Sequence, residues 1–460
     1  MHPNAQDGNT GATEPSNTGV NEPSDKSVVD LSPPKRIMQG LSMMGTDGDM
    51  LPLFWASATL AVQHQVQCQL VVQPYQFESI LCKLDNSSQF HRRVQEERKT
   101  EQRACRVNFT PPVGGPPGVD REDKTDETVL LQLRHAMWTT TDGVMFHVWA
   151  PTDSAWNEKQ HQEWEDIHKA AFKKPSYGDF LMKWQAVISF LNTMLPTHGV
   201  LRVSNCYDQE RNMELFEHAV GYKADFNIRN GTLSLMDQIV ENRLYAICTS
   251  LCPRKLQLNP KFTKTITPKT MKMAGVIVEP ADTFPLETLP EPIEEFLKKS
   301  TIVVTLSSSH LCTLLQDLLA SHRCLFLCSK TESPLEDHLH WPHQINLDAA
   351  FSKASKVVHA CGTGTAYKVV CAGKPSICVT LTTEQHNNAD RLAYKGAAKV
   401  FRLPTLLADV EAQQIFKTAL RETFDDRKIA ALQTQAKEEG NGLATCVEEM
   451  TKRLAKCVFV

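Results

Sequence analysis

The 460-residue chain has no C-x-x-C pair, no run near the ~20 apolar residues of a membrane-spanning helix, and no marked excess of either charge. Each absence excludes a class. The 14 cysteines, scattered from Cys68 to Cys457, form neither a zinc ribbon nor a compact disulfide scaffold. The spaced pairs Cys248/Cys252 and Cys324/Cys328 read as small buried hydrophobes. Forty-nine basic against 53 acidic side chains leave a net charge of −4, which gives no electrostatic footprint for nucleic acid or an anionic membrane. The first residues lack the basic and apolar regions of a signal peptide. The expectation is a cytoplasmic protein without a transmembrane segment, for which peripheral membrane contact stays open.

Hydrophobic residues make up 41% and charged residues 22%, an ordinary globular balance that permits a full core. At about 150 residues per domain, the length suits three units or two large ones. Residues 1–35, rich in Asn, Gly, Thr, Ser and Pro, carry too little apolar surface to offset the entropy of ordering and are expected to be a disordered tail. His91 to Thr128 combines charge runs with the breaker cluster TPPVGGPPG and reads as a solvated surface excursion.

The two ends of the chain are the most legible. The run Ile37 to Met44, the turn Gly45-Thr-Asp-Gly48-Asp49, a helix with Leu51, Phe54, Ala58 and Ala61 on one face, and the run Leu70 to Val72 spell strand, turn, helix, strand. A second series opens with Ile302 to Leu306, an N-cap at Ser307 to Ser309, and a helix marked by Leu311, Leu314, Leu315, Leu318 and Leu319. Strands at Cys324–Cys328, Val357–His359, Ser376–Thr380 and Lys399–Phe401 follow, with helices to Ala372 and around Asn388 to Tyr394. The proline-rich segment Thr263 to Pro292 suits a linker. Between these ends, helices are expected at Trp156–Lys173 and Tyr177–Met194, and strands at Val144–Trp149 and Leu244–Thr249.

Three loops could carry chemistry. Asp49 follows a first parallel strand, where open α/β sheets bind ligands, although a plain N-cap explains it equally simply. Cys361-Gly362-Thr363-Gly364-Thr365 follows His359, and small residues between strand and helix let backbone amides approach a phosphate. Glu384-Gln385 ends the next βα unit on the same sheet edge; a carboxylate beside an amide suits a hydroxyl-rich ligand, although the pair could merely begin a helix. Gly362-x-Gly364 with an acid 20 positions later imitates a dinucleotide fingerprint, but Tyr367 is too bulky for its third small position.

Taken together, these segments resemble the sterol- and natural-product-type nucleotide-sugar glycosyltransferases of the GT-B fold. GTDGDMLPLFWASATLAVQHQV resembles that family's opening G-[ST]-R-G-D-V-Q-P motif and its helix. Pro342-His343, Gly362, Gly364, Thr365, Ala372-Gly373-x-Pro375 and Glu384-Gln385 follow its donor signature in order, and EEGNGLATCVEEM resembles its last helix. The resemblance implies an α/β protein of two Rossmann-like domains facing each other across a cleft. Residues 36–275 would bind the acceptor, 285–438 the nucleotide sugar, and 439–460 would form a helix crossing back to the first domain. It implies inverting transfer of a hexose from a UDP-sugar to a sterol-like or small hydrophobic acceptor. The donor would be a substrate, with no cofactor and no metal. Asp49 would be the base. Ser307 and Ser308 would line the phosphates, and Pro342 and His343 the base and ribose. Gly362, Thr363, Gly364 and Thr365 would surround the diphosphate, with His359 and Cys361 beside them in the donor site, and Glu384 and Gln385 would hold the sugar hydroxyls.

The sequence also departs from that pattern. Ala360 stands where the family carries its diphosphate histidine, Ser307 replaces a glycine, Asp47 an arginine, Leu51 a glutamine, and Glu384 an aspartate. The first alternative is therefore a catalytically silent homologue that binds a nucleotide sugar or a protein partner. An NAD(P)-dependent oxidoreductase is a lesser one.

Overall fold

The computed structural model describes residues 36–41, 47–72, 74–86, 99–109, 127–152, 200–204, 226–229, 246–248, 271–273, 276–278, 289–306, 309–327, 335–343 and 345–457. The expected helices at 156–173 and 177–194 and the expected tail 1–35 lie outside these residues.

Two separate sheets are present. The first contains β1 (Ile37–Leu41), β2 (Gln67–Val71), β3 (Lys99–Phe109), β4 (Glu127–Thr139), β5 (Met145–Pro151), β6 (Val200–Ser204), β7 (Phe226–Arg229), β8 (Ala246–Cys248) and β9 (Met271–Met273). Their order is β3-β4-β5-β2-β1-β6-β7-β8-β9. From β5 to β9 all neighbours are parallel, while β3 and β4 add an antiparallel edge. Helix α1 (Asp47–His64) follows β1, and α2 (Pro74–Asn86) follows β2.

Two expectations are corrected here. Residues 99–109, within the stretch read as a solvated loop, form the outermost strand of the sheet and pair with β4 over their full length. An antiparallel edge strand keeps one face in water, so charge need not exclude it. The expected linker contains β9, and its Val276 and Ile277 are buried.

The second sheet contains β10 (Ile302–Thr305), β11 (Cys324–Leu327), β12 (His338–Trp341), β13 (Lys356–His359), β14 (Ser376–Thr380) and β15 (Ala398–Arg402). All neighbours are parallel, in the order β12-β11-β10-β13-β14-β15. Counted along the chain this is 3-2-1-4-5-6, the doubly wound order whose direction reverses between β10 and β13. Both faces are covered. Ile302 and Val304 join one core with Phe326, Val358 and Ile377; Val303 joins another with Leu325, Phe351 and Val357. Burial on both sides explains why these strands read as continuous apolar runs.

Around this sheet lie α3 (Glu291–Phe296), α4 (Ser309–Leu319), α5 (Leu347–Lys353), α6 (Thr363–Cys371), α7 (Thr383–Tyr394), α8 (Leu403–Ala408), α9 (Val410–Arg421) and α10 (Asp426–Glu439). The last helix, α11 (Leu443–Cys457), leaves this sheet. Its Cys446, Val447, Met450 and Leu454, spaced for one helical face, enter the first sheet's core with Phe54 and Leu201. The segment before α11 also meets the segment after β9. Gly442 N–H donates to the Val276 carbonyl at 2.8 Å, and the Asn441 side chain exchanges bonds with both backbone groups of Val278 at 2.9 and 3.3 Å. Thus the two chain segments that connect the sheets are hydrogen-bonded to each other.

Candidate functional site

In a doubly wound sheet, ligands bind beyond the carboxyl ends of the strands where the order reverses. In the second sheet that point lies between β10 and β13, with β14 next to it. Thr305, His359 and Cys378 stand at one level across these three strands. The residues singled out from the sequence follow them directly. Ser307 and Ser308, after β10, lie outside the described residues.

Beyond His359 the backbone turns sharply. Cys361 adopts φ +64, a left-handed conformation that strains a side chain bearing Cβ. Gly362 then occupies the N-cap of α6 with no side-chain cap bond, so no side chain of the cap satisfies the first amides of that helix. A Cβ placed on Gly362 or Gly364 would meet nothing within 4 Å. Elsewhere glycines answer a different need. Gly373 and Gly396 have φ +64 and +76 and lie against Gln433 and Lys428, so their role is a tight turn. Gly362, with φ −60, is not forced by conformation, and it borders open space. A helix start with room beside its backbone suits an anionic ligand.

The side chains of the loop divide into two groups. Thr363 is buried, and its Oγ1 accepts a bond from Asn388 Nδ2 at 3.2 Å; the same Nδ2 donates to the Cys361 carbonyl at 3.3 Å. Asn388, on α7, thus fastens the loop from beneath, a role missed in the sequence. Its signal was its spacing, four positions after Glu384 and hence on the same helical face. Replacing Asn388 with alanine removes both bonds at a buried position. It is expected to lower stability by about 1–3 kcal/mol, read by chemical denaturation. Thr365, by contrast, is only half-buried.

His359 is turned away from the open space. It is fully buried, its Nδ1 accepts the Cys361 N–H at 3.1 Å, and its Nε2 lies 3.9 Å from Cys378 Sγ. Pro342 and His343 follow β12, two strands away from β10, and both are exposed; His343 meets Trp341 edge to face at 5.8 Å. Glu384 and Gln385 open α7 directly after β14. Gln385 has a definite structural duty. Its Oε1 accepts the N–H groups of Leu381 and Thr382 at 2.9 and 3.2 Å, while its own N–H donates to Thr382 Oγ1, completing a capping box. The carboxamide oxygen is therefore occupied, which leaves the amide nitrogen as the group that could serve a ligand.

In the first sheet the order of the parallel strands also reverses, between β1 and β6. Asp49 stands just beyond β1, as the third residue of α1. It therefore lies inside the first turn and is not that helix's N-cap, the plain alternative to a ligand role; Asp47 is the first helical residue.

His359, Cys361 and Cys378 form the one group of potential metal ligands found among the described residues, with donor atoms within 4.8 Å of one another. The chemistry of the ring does not fit an ion. A ligating imidazole donates its second N–H outward, whereas the outer nitrogen here already accepts one.

No family model and no curated protein matches the chain. Solved structures do. UGT89C1 of Arabidopsis thaliana, complexed with quercetin, aligns over 91% of this chain and 99% of its own at 10% identity and a TM-score of 0.52. Os79 of O. sativa, complexed with a trichothecene, aligns over 91% and 100% at 12% identity and a TM-score of 0.52. CalG4, the calicheamicin glycosyltransferase, aligns over 92% and 99% at 11% identity and a TM-score of 0.50. The fold is GT-B. At these identities the likeness concerns the path of the chain, which in GT-B proteins comprises two α/β sheets of parallel strands. Among the described residues no helix is long and apolar enough to cross a membrane.

Proposed function

We propose that the chain is a glycosyltransferase that moves a hexose from a UDP-sugar to a small hydrophobic or sterol-like acceptor hydroxyl, with inversion and without a metal. The observation that carries this reading is the start of α6, with glycine at its N-cap and open space at Gly362 and Gly364, at the point where the second sheet reverses its order. It fits a diphosphate because backbone N–H groups and the helix dipole both favour negative charge. In this reading residues 285–438 bind the donor and 36–275 the acceptor, and 439–460 close the molecule. Asp49, beyond β1, removes the acceptor proton as its oxygen attacks the anomeric carbon, and the α6 amides with Thr365 hold the leaving diphosphate. Glu384 and the Gln385 amide nitrogen face the sugar hydroxyls, and Pro342 with His343 flanks the base and ribose. Ser307 and Ser308 complete the phosphate loop.

The test is calorimetric titration with UDP and UDP-glucose, followed by UDP-glucose hydrolysis. UDP is expected to bind more tightly than GDP or TDP. Absence of UDP binding would sink the reading.

A second reading, a silent homologue that binds the donor without turning it over, is favoured by one specific arrangement. His359 is committed to the protein interior, and position 360 carries alanine. One charge-stabilising donor is worth about 10² to 10³ in rate. Ala360→His is accordingly expected to raise hydrolysis by up to that factor with UDP affinity little changed, measured by initial rates beside titration. No gain in a folded variant would mean that position 360 does not face the diphosphate.

A further inference from the structure

Directly beneath the 360–362 loop, His359 and Cys378 stand side by side on β13 and β14, and Cys361 completes the cluster from the loop. All three are fully buried. The tautomer of the ring follows from its neighbours. Because Nδ1 accepts the Cys361 N–H, the proton resides on Nε2, which faces Cys378 Sγ at 3.9 Å. The Cys361 sulfur lies within 4.8 Å of the Cys378 sulfur. A ring N–H and a second thiol thus face one sulfur, an arrangement that favours a thiolate.

Burial pushes the Cys378 thiol up and Asp390 adds to that, but the neighbouring Cys361 thiol and the His359 ring outweigh both and hold it below its ordinary value. Buried cysteines elsewhere behave in the opposite way. Burial pushes Cys68 and Cys446 up, and burial with Asp337 pushes Cys324 up to about 12. Cys361 is also the strained residue of the loop, with φ +64, and is followed by a glycine that borders open space. The second sulfur therefore sits on a strained turn beside open space.

We propose that Cys361 and Cys378 are an oxidant-sensitive pair that closes to a disulfide across the root of this loop, with hydrogen peroxide as the oxidant. Peroxide is small enough to reach a buried thiol through a local opening. The Cys378 sulfur attacks one peroxide oxygen and the O–O bond breaks. Hydroxide leaves and takes up the thiol's proton as water, giving a sulfenic acid on Cys378. The Cys361 sulfur then attacks that sulfur, the S–S bond forms as the S–O bond breaks, and a second water departs with the Cys361 proton. The two thiols lose two electrons and peroxide becomes two waters. The link would tie the loop to β14 whatever ligand binds above it.

Cys371 shares a tryptic peptide, 369–391, with Cys378, so the full chain carrying Cys371→Ser is the clean substrate. It is exposed to hydrogen peroxide, alkylated, digested without reduction and read by mass spectrometry. The expected product is peptide 357–368 linked to peptide 369–391, released by dithiothreitol and missing when Cys361→Ser is added. Recovery of both cysteines alkylated, or of Cys378 as sulfinic acid without the link, overturns the proposal. So does protection of the reduced pair from alkylation by zinc chloride, which would make the cluster a metal site. The native pair carries the decisive measurement, so the result stands whether or not the Cys361→Ser chain folds.

Discussion

Asp49→Asn is expected to lower UDP-glucose hydrolysis by a factor of about 10² to 10⁴ while leaving UDP affinity unchanged. The size follows from the worth of a positioned general base. The split between rate and binding follows from placement, because Asp49 lies on α1 of the first unit of sheet and helices and the proposed diphosphate loop precedes α6 of the second. Stability should barely move. A carboxylate in the first turn of a helix contributes about 0.3–1 kcal/mol through the helix dipole, and asparagine forfeits no more than that. Thermal melting beside initial rates separates the two effects. Equal rates in the two proteins would remove Asp49 from the chemistry, and a large loss of stability would recast it as a structural residue.

Gly364→Leu is expected to weaken UDP binding by about 10² or more while leaving the melting temperature unchanged or slightly raised. Position 364 is the second residue of α6, where glycine costs roughly 0.5–1 kcal/mol relative to alanine, and leucine is a good helix former. A Cβ there meets no protein atom within 4 Å, so the root of the new side chain has room. The added side chain would instead fill the space through which a phosphate approaches the amides, and a displacement of about 1 Å at such a site can cost a factor of 10². Opposite signs for stability and affinity are the signature of a glycine retained for a ligand. Normal UDP affinity in this variant would mean that nothing anionic binds at this helix start.

The central strands of the second sheet were plain in the sequence because they are buried on both faces. IVV, CLFL and SICVT are runs that only a doubly covered parallel strand needs. β12, with the sequence HLHW at the sheet edge, escaped notice, as did β3 with its charges and the three-residue β9 inside a proline-rich stretch. Edge and short strands carry little apolar signal, and their pairing partners are remote in sequence. At the site, the loop glycines and the acid-amide pair stood out by spacing. Asn388 and Cys378 did not, because each acts through a contact between separate βα units. Gln385 was visible as a residue, but its capping bond depends on Thr382 being the N-cap, which only the placed helix reveals.

Local sequence alone therefore determined where the buried strands lie, which loops follow them, and that small residues occupy the turn after His359. Side-chain polarity and backbone freedom are properties of neighbouring residues, legible without a fold. Only the tertiary structure decided that β13 lies between β10 and β14, that His359 points inward with its proton on Nε2, and that a loop cysteine and a cysteine of β14 share its company. Those facts depend on strand order and register, which are fixed by long-range packing of both sheet faces.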